Sequence, residues 1–344
     1  MKKKVFIGID FSKLTIDVTF FYAESPDLFY YQMFANSEEG CKKMIKWIKK
    51  LQPLTSDWLV CGEYTGIYTM TLALVLNEQN IDLWLENPMQ IKLSSGINRE
   101  KNDKVDSRQI ALYAARFEDR VKLYKPQGEV LLKVRELVRH KDRLTKVKTQ
   151  LKVPAQELKR VRNNCDIAAC INRSSQEIIK VIDSEMKDVE RQMMFLLKSD
   201  PELKRLYKLV TSVVGVGMQT AIYLLIHTSG LTSFASPRQL ACYCGVAPFA
   251  KRSGTSIKGK TQVSHIANKK LKTLLHMCAL NAIKYDPIIK KYYERKIEEG
   301  KHKMNILNNV RNKLIHRIWA VVQAGEEYDK NYQHVEILEL DKVA

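Results

Sequence analysis

Hydrophobic and polar positions divide the chain into regions of different character. Up to about residue 120, short apolar runs rich in β-branched and aromatic residues alternate with segments of helical spacing. Residues 130–198 instead carry apolar positions at helical spacing in a strongly charged background, and the apolar stretches beyond residue 200 are again mostly helical. The pattern therefore predicts an α/β region followed by a mainly helical one.

The α/β region predicts a mixed five-stranded sheet. The expected strands are residues 4–10, 15–22, 28–35, 58–63 and 81–85, with a Ser25-Pro26 turn before the third, and the expected helices are 36–51, 66–77 and 103–117. The order is β-β-β-α-β-α-β-α. Three antiparallel strands followed by crossover connections give a mixed sheet flanked by helices.

The rest of the chain divides into further predicted domains. After a linker near residues 124–128, residues 125–200 predict two long helices that break near Asn163-Asn164 and form a hairpin or coiled-coil arm. A helical bundle inside the second domain is the alternative. The predicted domains are 1–124 (α/β), 125–200 (arm) and 201–330 (mainly α, with a Gly- and Ser-containing loop over 245–260), with a tail at 331–344.

Positive charge is concentrated in the second half. The formal net charge is +19, yet residues 1–120 contain 16 basic and 16 acidic residues, so the whole excess lies in residues 121–344. Residues 203–285 contain 12 basic residues and no carboxylate. Since a solvated surface normally mixes both signs, this stretch indicates a polyanionic partner, first of all nucleic acid, whose phosphates release counterions when neutralised.

Two further features of the composition bear on membrane association and on the cellular compartment. No apolar run approaches the roughly 18 residues of a membrane span, so no membrane partner is expected. The seven cysteines form no Cys-x-x-Cys pair and no zinc-type spacing, which indicates reduced thiols and a cytoplasmic, nucleoid-associated protein.

Four acidic residues occupy positions typical of an active site. Asp10 ends the first predicted strand and Glu63 the fourth, while Asp103 and Asp106 share one face at the start of the last helix of the α/β region. Each alone could be a helix cap or a solvated side chain. Together they would repel one another unless a divalent cation, Mg²⁺ or Mn²⁺, neutralised them, and such carboxylate sites serve phosphodiester chemistry.

A glycine turn in the helical region is a candidate anion site. Gly215 and Gly217 precede a helix, and a Gly-x-Gly turn at that place exposes backbone amides to a phosphate. Close packing of two helices through the turn is the alternative.

A basic loop with a serine is the third candidate. Ser253 lies beside Gly254 and is flanked by Lys251, Arg252, Lys258 and Lys260. Nearby positive charge would stabilise a serine alkoxide and the charge that develops at an attacked phosphate. A flexible basic loop that only contacts the nucleic-acid backbone is the alternative. Lys269 and Lys270 extend the basic surface.

These blocks resemble a known family. The segments 7–13 (Ile-Gly-Ile-Asp-Phe-Ser-Lys), 63–68 (Glu-Tyr-Thr-Gly-Ile-Tyr), 102–107 (Asn-Asp-Lys-Val-Asp-Ser) and 214–217 through 252–254 are similar, in order, to the DEDD insertion-sequence transposases, which include bridge-RNA-guided recombinases and the related pilin-gene invertases. Ser107 stands where the family usually has alanine.

The resemblance implies a fold and a mechanism. It implies a RuvC-like domain of RNase H fold at the N-terminus, a metal-binding tetrad of Asp10, Glu63, Asp103 and Asp106, and Ser253 as the nucleophile that bonds covalently to DNA. It further implies donor and target DNA as partners, a noncoding guide RNA, and a homodimer or homotetramer whose active site combines the acidic domain of one protomer with the serine domain of another.

Several functions stay open at this point. The leading hypothesis is a DNA transposase or recombinase that mobilises an insertion sequence. The alternatives are a RuvC-like, metal-dependent junction-resolving endonuclease in which Ser253 only binds, a site-specific DNA invertase, and a nucleic-acid-binding protein without catalysis.

Overall fold

The protein is described from a computed structural model, which covers residues 3–96, 102–125, 128–161, 166–253 and 257–329. The chain forms two compact units, Met1–Pro126 and Gln127–Ala344. The predicted tail at 331–344 and the predicted helix break at Asn163-Asn164 lie outside the described residues.

The first unit contains a mixed five-stranded sheet, as the sequence predicts. Its strands are β1 (Val5–Phe11), β2 (Thr15–Tyr22), β3 (Ser25–Ala35), β4 (Trp58–Glu63) and β5 (Leu83–Glu86), in the spatial order β3-β2-β1-β4-β5. β1 pairs antiparallel with β2 and parallel with β4, and β4 pairs parallel with β5. Both parallel pairs therefore end at one edge of the sheet.

Helices cover both faces of this sheet. They are α1 (Glu38–Leu51), α2 (Met70–Glu78), α3 (Pro88–Ser94) and α4 (Asp103–Arg116). Alternate strand residues such as Ile7 and Val60 join a core with α1 and α2, and their neighbours such as Phe6 and Leu59 join a second core with α4. This alternation places successive side chains on opposite faces of the sheet.

Helix α4 lies directly against β1. A Cβ atom on Gly8 would come within 2.1 Å of the carbonyl oxygen of Ser107 and 2.2 Å of the amide nitrogen of Ala111. Only a residue without a side chain allows this approach. The first turn of α4 is thereby held close to the end of β1, two residues beyond Gly8.

The first unit differs from the prediction at three places. Ser25 and Pro26 begin strand β3 and are not the turn, because the chain reverses at Ala23-Glu24 and Tyr22 pairs with Ser25. Helix α3 was not expected, although Asn87 caps it by accepting from the Met89 amide and Pro88 occupies its first position. The expected helix 66–77 is a short 3₁₀ turn, Gly66–Thr69, followed by α2.

The second unit is mainly helical, also as predicted. Its helices are α5 (Glu129–Val161), α6 (Asp166–Ser199), α7 (Pro201–Ser212), α8 (Met218–His227), α9 (Pro237–Tyr243), α10 (Lys269–Tyr285), α11 (Pro287–Glu298) and α12 (Lys303–Ala324). Within the described part of the chain, none of the helices is both long and apolar enough to cross a membrane.

The two long helices pack on each other and on the bundle. Helix α5 contacts α6, and ion pairs join Lys141 to Glu190 at 2.6 Å and Lys148 to Asp183. Near the ends that adjoin α7 and α8, buried residues of both helices enter the core of the unit, among them Val134 on α5 and Met193 on α6. The pair thus has its base inside the bundle; that it is a coiled-coil arm stays a prediction.

The expected loop at 245–260 is wrong in part. The chain forms a two-stranded antiparallel hairpin here, β6 (Pro248–Ser253) and β7 (Ile257–Val263). Local composition rich in glycine, serine and lysine disfavours strands, but backbone pairing between the two segments overrides it.

Candidate active site

Two predicted carboxylates lie near the carboxyl ends of neighbouring parallel strands, Asp10 one residue before the end of β1 and Glu63 as the last residue of β4. Ile9 on β1 is in register with Gly62 on β4, so Asp10 and Glu63 are the next residues along each strand. Both side chains are partly buried. Because equivalent positions of paired strands share one face of a sheet, the two carboxylates belong to the same face, which also contains Cys61 and contacts α4.

The other two predicted carboxylates lie in the first turn of α4. Asn102 caps this helix by accepting a hydrogen bond from the Val105 amide at 2.8 Å, so the helix begins at Asp103. Asp103 and Asp106 then lie one turn apart at the positive end of the helix dipole. The close contact of α4 with Gly8 brings this turn toward Asp10.

The other three carboxylates act electrostatically on Asp10. The pKa of Asp10 is raised from 3.8 to about 6, first by burial and then by the negative charges of Asp103, Asp106 and Glu63. The structure therefore brings Glu63, Asp103 and Asp106 within electrostatic range of Asp10. Across the described residues, no three His, Cys, Asp or Glu side chains stand close enough together to hold one metal ion in their present positions.

The donor chemistry of this group fits a hard divalent cation. All four side chains offer carboxylate oxygens, which are the ligands that Mg²⁺ and Mn²⁺ prefer. A cation among them would offset both the burial of the Asp10 charge and the repulsion from the other three acids, which together raise the pKa of Asp10.

Two further acids, which the sequence did not single out, lie beside the group of four carboxylates. Asp17 on β2 is directly opposite Asp10 and is only 3% exposed, and Glu86 at the end of β5 is in register with Glu63. A carboxylate in the apolar run of β2, and another at the end of the neighbouring parallel strand, were the available signals.

Tyrosine hydroxyls contact both of these bordering acids. The hydroxyl of Tyr31 donates to Asp17 at 2.5 Å, and that of Tyr113 donates to Glu86 at 3.3 Å. The pKa of Tyr31 rises to about 12, first because of its hydrogen bond to Asp17, then because of burial and the charges of Asp17 and Asp103. The tyrosines thus stay protonated and donate to the acids.

The predicted nucleophile Ser253 lies in the second unit, as the last residue of β6. Its backbone is in register with Ile257, and that of Arg252 with Lys258. The side chains of the predicted serine-loop residues lie outside the described part of the structure, namely Lys251, Arg252, Ser253, Lys258 and Lys260. The structure thus gives the hairpin that carries Ser253.

The glycine turn is explained by contacts inside the protein. Gly215 has a positive φ of 93°, and a Cβ there would lie 2.6 Å from the carbonyl oxygen of Cys278 on α10. The thiol of Cys278 lies 3.1 Å from the hydroxyl of Thr220 on α8. These contacts agree with the alternative of close helix packing, and phosphate binding at this turn stays a prediction.

The two predicted lysines of α10 are exposed and differ in their contacts. Asn268 caps α10 by accepting from the Leu271 amide at 3.0 Å, which places Lys269 and Lys270 in its first turn. The ammonium of Lys270 lies 3.1 Å from Asp142 and 5.5 Å from the centre of the Tyr223 ring. Lys269 is exposed at the same helix end.

Models of two protein families match segments of this chain, and together the matched segments include parts of both units. A model of the IS110-type DEDD transposases, described as a transposase, matches residues 7–158, and a model of the IS116/IS110/IS902 transposase family matches residues 207–294. The chain is 27% identical to the pilin gene-inverting protein of Moraxella bovis over 335 residues, covering 95% of this chain and 98% of that protein. It is 31% identical over 151 residues to an uncharacterized 43.6 kDa protein of insertion element IS110 from Streptomyces coelicolor, covering 44% of this chain and 36% of that protein.

Proposed function

The chain belongs to the DEDD transposases of the IS110 family, and on this basis we propose that it cuts and rejoins DNA with four carboxylates of its first unit and Ser253 of its second. The observation that carries the proposal is the position of Asp10: burial, together with the negative charges of Asp103, Asp106 and Glu63, raises its pKa to about 6. The strand order β3-β2-β1-β4-β5, with acids at the ends of β1 and β4, supports a RuvC-like version of the RNase H fold for this unit.

Asp10, Glu63, Asp103 and Asp106 would hold a divalent cation, Mg²⁺ or Mn²⁺. When bound, the cation would stabilise negative charge that develops at the reacting phosphate. The protein contributes the position of these oxygens: two at the ends of paired strands and two in the capped first turn of α4. Asp17 and Glu86, each fixed by a tyrosine hydroxyl, would orient this group from both sides.

Ser253 would attack the DNA backbone. A bond forms between its Oγ and the phosphorus, one backbone P–O bond breaks, and the serine proton is passed through solvent to the oxygen that leaves. A DNA hydroxyl then attacks the phosphoserine, which restores Ser253 and rejoins DNA. The step consumes no co-reactant, because the energy of each broken ester is kept in the new one.

Trapping the covalent intermediate tests this function. The wild-type chain should form a DNA adduct that survives denaturation, and Ser253→Ala should lose the adduct while its DNA affinity is retained. Ser256→Ala, a neighbouring serine of the same segment, is the matched control and should form the adduct normally. Free phosphate ends without attached protein would instead favour the junction-resolving endonuclease.

Assembly of several protomers would complete the active site. Helix α6 has exposed apolar residues at seven- and three-residue spacing, Ile171, Ile178 and Val181, and these follow one side of the helix. Such a stripe supports a coiled-coil arm that joins protomers as a dimer or tetramer. The acidic unit of one protomer would then meet the Ser253 hairpin of another.

A noncoding guide RNA would select donor and target DNA. The excess of basic residues in the second unit supports binding of more than one nucleic-acid strand. The chain purified from its host without nuclease treatment should carry one discrete RNA, and RNase should abolish recombination at the chosen sites. Unchanged recombination after RNase treatment would contradict the guided mode.

Site-specific inversion is a second candidate outcome of the same chemistry. It is favoured by the similarity to the pilin gene-inverting protein, which extends over nearly the whole of both chains. Sequencing the DNA products separates the two: inversion leaves the segment in place with reversed orientation, whereas transposition moves it.

A further inference from the structure

Arg311 is a buried cation in the middle of α12. The residue is 6% exposed, although its neighbours in the core of the second unit are apolar side chains such as Val310 and Leu314. Its Nε donates weakly to the Leu307 carbonyl of its own helix at 3.4 Å. Burial of a charge is costly unless the charge is paired, so the position calls for a partner.

A second arginine on the same helix, Arg317, is paired with a buried carboxylate. The Nη1 of Arg317 lies 2.5 Å from a carboxylate oxygen of Asp286, which is itself 3% exposed. Asp286 also caps α11 by accepting from the amides of Ile288 and Ile289. Arg317 is therefore neutralised within the protein, whereas Arg311 contacts no carboxylate in the described parts of the chain.

Another cation, Lys272, lies within electrostatic range of Arg311. Lys272 on α10 is partly exposed, and its pKa is lowered first by burial and then by the charge of Arg311. Burial likewise lowers the pKa of Arg311. The two residues thus repel each other, and the stretch 203–285 that surrounds Lys272 in sequence contains no carboxylate that could separate them. A bound anion would offset the repulsion between these two cations.

Lys272, and Asn308 one turn before Arg311, contact the segment that leads to Ser253. The side-chain amide of Asn308, one turn before Arg311, donates to the carbonyl of Val246 at 2.8 Å. A Cβ atom on Gly245 would lie 3.6 Å from Cδ of Lys272. Both contacts involve the residues that precede β6, and β6 ends at Ser253.

We propose that Arg311 and Lys272 form a binding site for a phosphodiester group of the nucleic-acid backbone, next to the hairpin that carries Ser253. A guanidinium presents paired N–H donors that match two phosphate oxygens, and the ammonium of Lys272 adds a second charge from the solvent side. The bound phosphate would supply the negative charge that no carboxylate in the described part of the chain supplies to Arg311. The inference rests on the proposed function, because it requires nucleic acid to reach this face of the second unit.

Substitution by methionine tests the site. Arg311→Met keeps the length and apolar character of the buried stem and removes the charge. It should keep or raise the melting temperature, because an unpaired buried charge is lost. It should also weaken binding of short duplex DNA about tenfold and lower the slope of log affinity against log salt by about one. Lys272→Met, at a partly exposed position, should weaken binding in the same direction without loss of folding.

The controls use the full chain in EDTA, so that binding is measured without cleavage. Lys303→Met removes an exposed cation at the start of the same helix and should leave affinity nearly unchanged. Single-stranded RNA of the same sequence is the second probe: weaker binding of DNA alone assigns the site to the DNA backbone, and weaker binding of RNA alone to a guide strand.

Two outcomes would overturn the site, and two others would bear on the proposed function. Unchanged affinity and salt slope in both Arg311→Met and Lys272→Met would overturn the site, and so would an equal loss in Lys303→Met. A wild-type chain that binds neither probe would contradict the proposed function itself. A chain that binds but forms no covalent adduct would contradict only the proposed chemistry, and leave the phosphate site in place.

Discussion

The hydroxyl oxygens of Thr19 on β2 and Ser107 on α4 lie 2.7 Å apart in the buried interface between sheet and helix. Both residues are at most 1% exposed. Ser107 also contacts the Lys104 carbonyl at 3.0 Å, within the turn that carries Asp103 and Asp106. A single polar contact between residues far apart in sequence thus fixes the acidic turn of α4 to the sheet.

Loss of this contact should be measurable as lower stability. Thr19→Val keeps the shape of the side chain and removes the hydroxyl, which should lower the free energy of unfolding by about 1–2 kcal/mol in urea denaturation. Thr19→Val combined with Ser107→Ala should cost less than the sum of the two single changes, because no buried hydroxyl then lacks its partner. Strictly additive losses would show that the two hydroxyls do not depend on each other.

Removal of the Asp10 charge should stabilise the metal-free protein. In the unfolded chain Asp10 ionises near pH 3.8, and in the folded chain near about 6. The folded state therefore holds the proton more tightly, and stability falls as pH rises from about 4 to about 6. Asp10→Asn should gain about 1–2 kcal/mol in EDTA above this window, after allowance for solvent screening, and nothing near pH 4.

An exposed aspartate of the same unit is the matched control for that prediction. Asp27→Asn on β3 should change stability little at either pH. Added Mg²⁺ should raise the melting temperature of the wild-type chain and not that of Asp10→Asn. Equal pH profiles for the wild-type and Asp10→Asn proteins would refute the electrostatic convergence of the four acids.

Alanine substitutions at Gly215 and Gly217 test whether the glycine turn serves helix packing or phosphate binding. Gly215→Ala forces a side chain into a left-handed backbone conformation and against α10, which should cost about 2–4 kcal/mol in chemical denaturation. Gly217→Ala, with open space around its Cβ position, should cost less than about 1 kcal/mol. DNA affinity that drops in Gly217→Ala while stability is retained would support phosphate binding at this turn.

Mixing two inactive proteins tests the composite active site. Asp10→Asn and Ser253→Ala should each be inactive alone, because each lacks one half of the chemistry. In mixed assemblies, the intact acids of one protomer can meet the intact serine of the other, so adduct formation should return to a fraction of the wild-type level. Continued inactivity after verified subunit exchange would indicate that both halves act within one protomer.

Sequence patterns predicted those features that depend on local spacing. Asp10 and Glu63 were recognised because a carboxylate ends an apolar strand in each case, and the first turn of α4 because its acids are three residues apart after an Asn cap. The register of β1 with β4 then brings Asp10 and Glu63 to the same edge of the sheet. Once β1 and β4 are taken as parallel neighbours in the sheet, the common position of these two carboxylates can be predicted from the sequence.

Features that depend on tertiary contacts could not be predicted in this way. Asp17 appears as an ordinary strand residue until its pairing with Asp10 is known, and the β6–β7 hairpin forms from segments whose glycine and lysine content weakens the strand signal. Arg311 is a cation on a helix among many others. Its burial, and the missing acid beside it, are properties of how α10 and α12 pack.

Because Gly8 has a hydrogen atom in place of a side chain, α4 can pack directly against β1, and the distance between this helix and the sheet sets the position of the aspartates on α4. Even a methyl group there would act as a spacer that lifts α4 from the sheet, since the nearest helix atoms are 2.1 and 2.2 Å from the site of that carbon. Sheet and helix could each survive with their own hydrogen bonds, yet the aspartates on α4 would move away from Asp10. Metal affinity in this protein should therefore respond to the gap between two packed elements, and a chain that still folds could lose its cation through one added carbon.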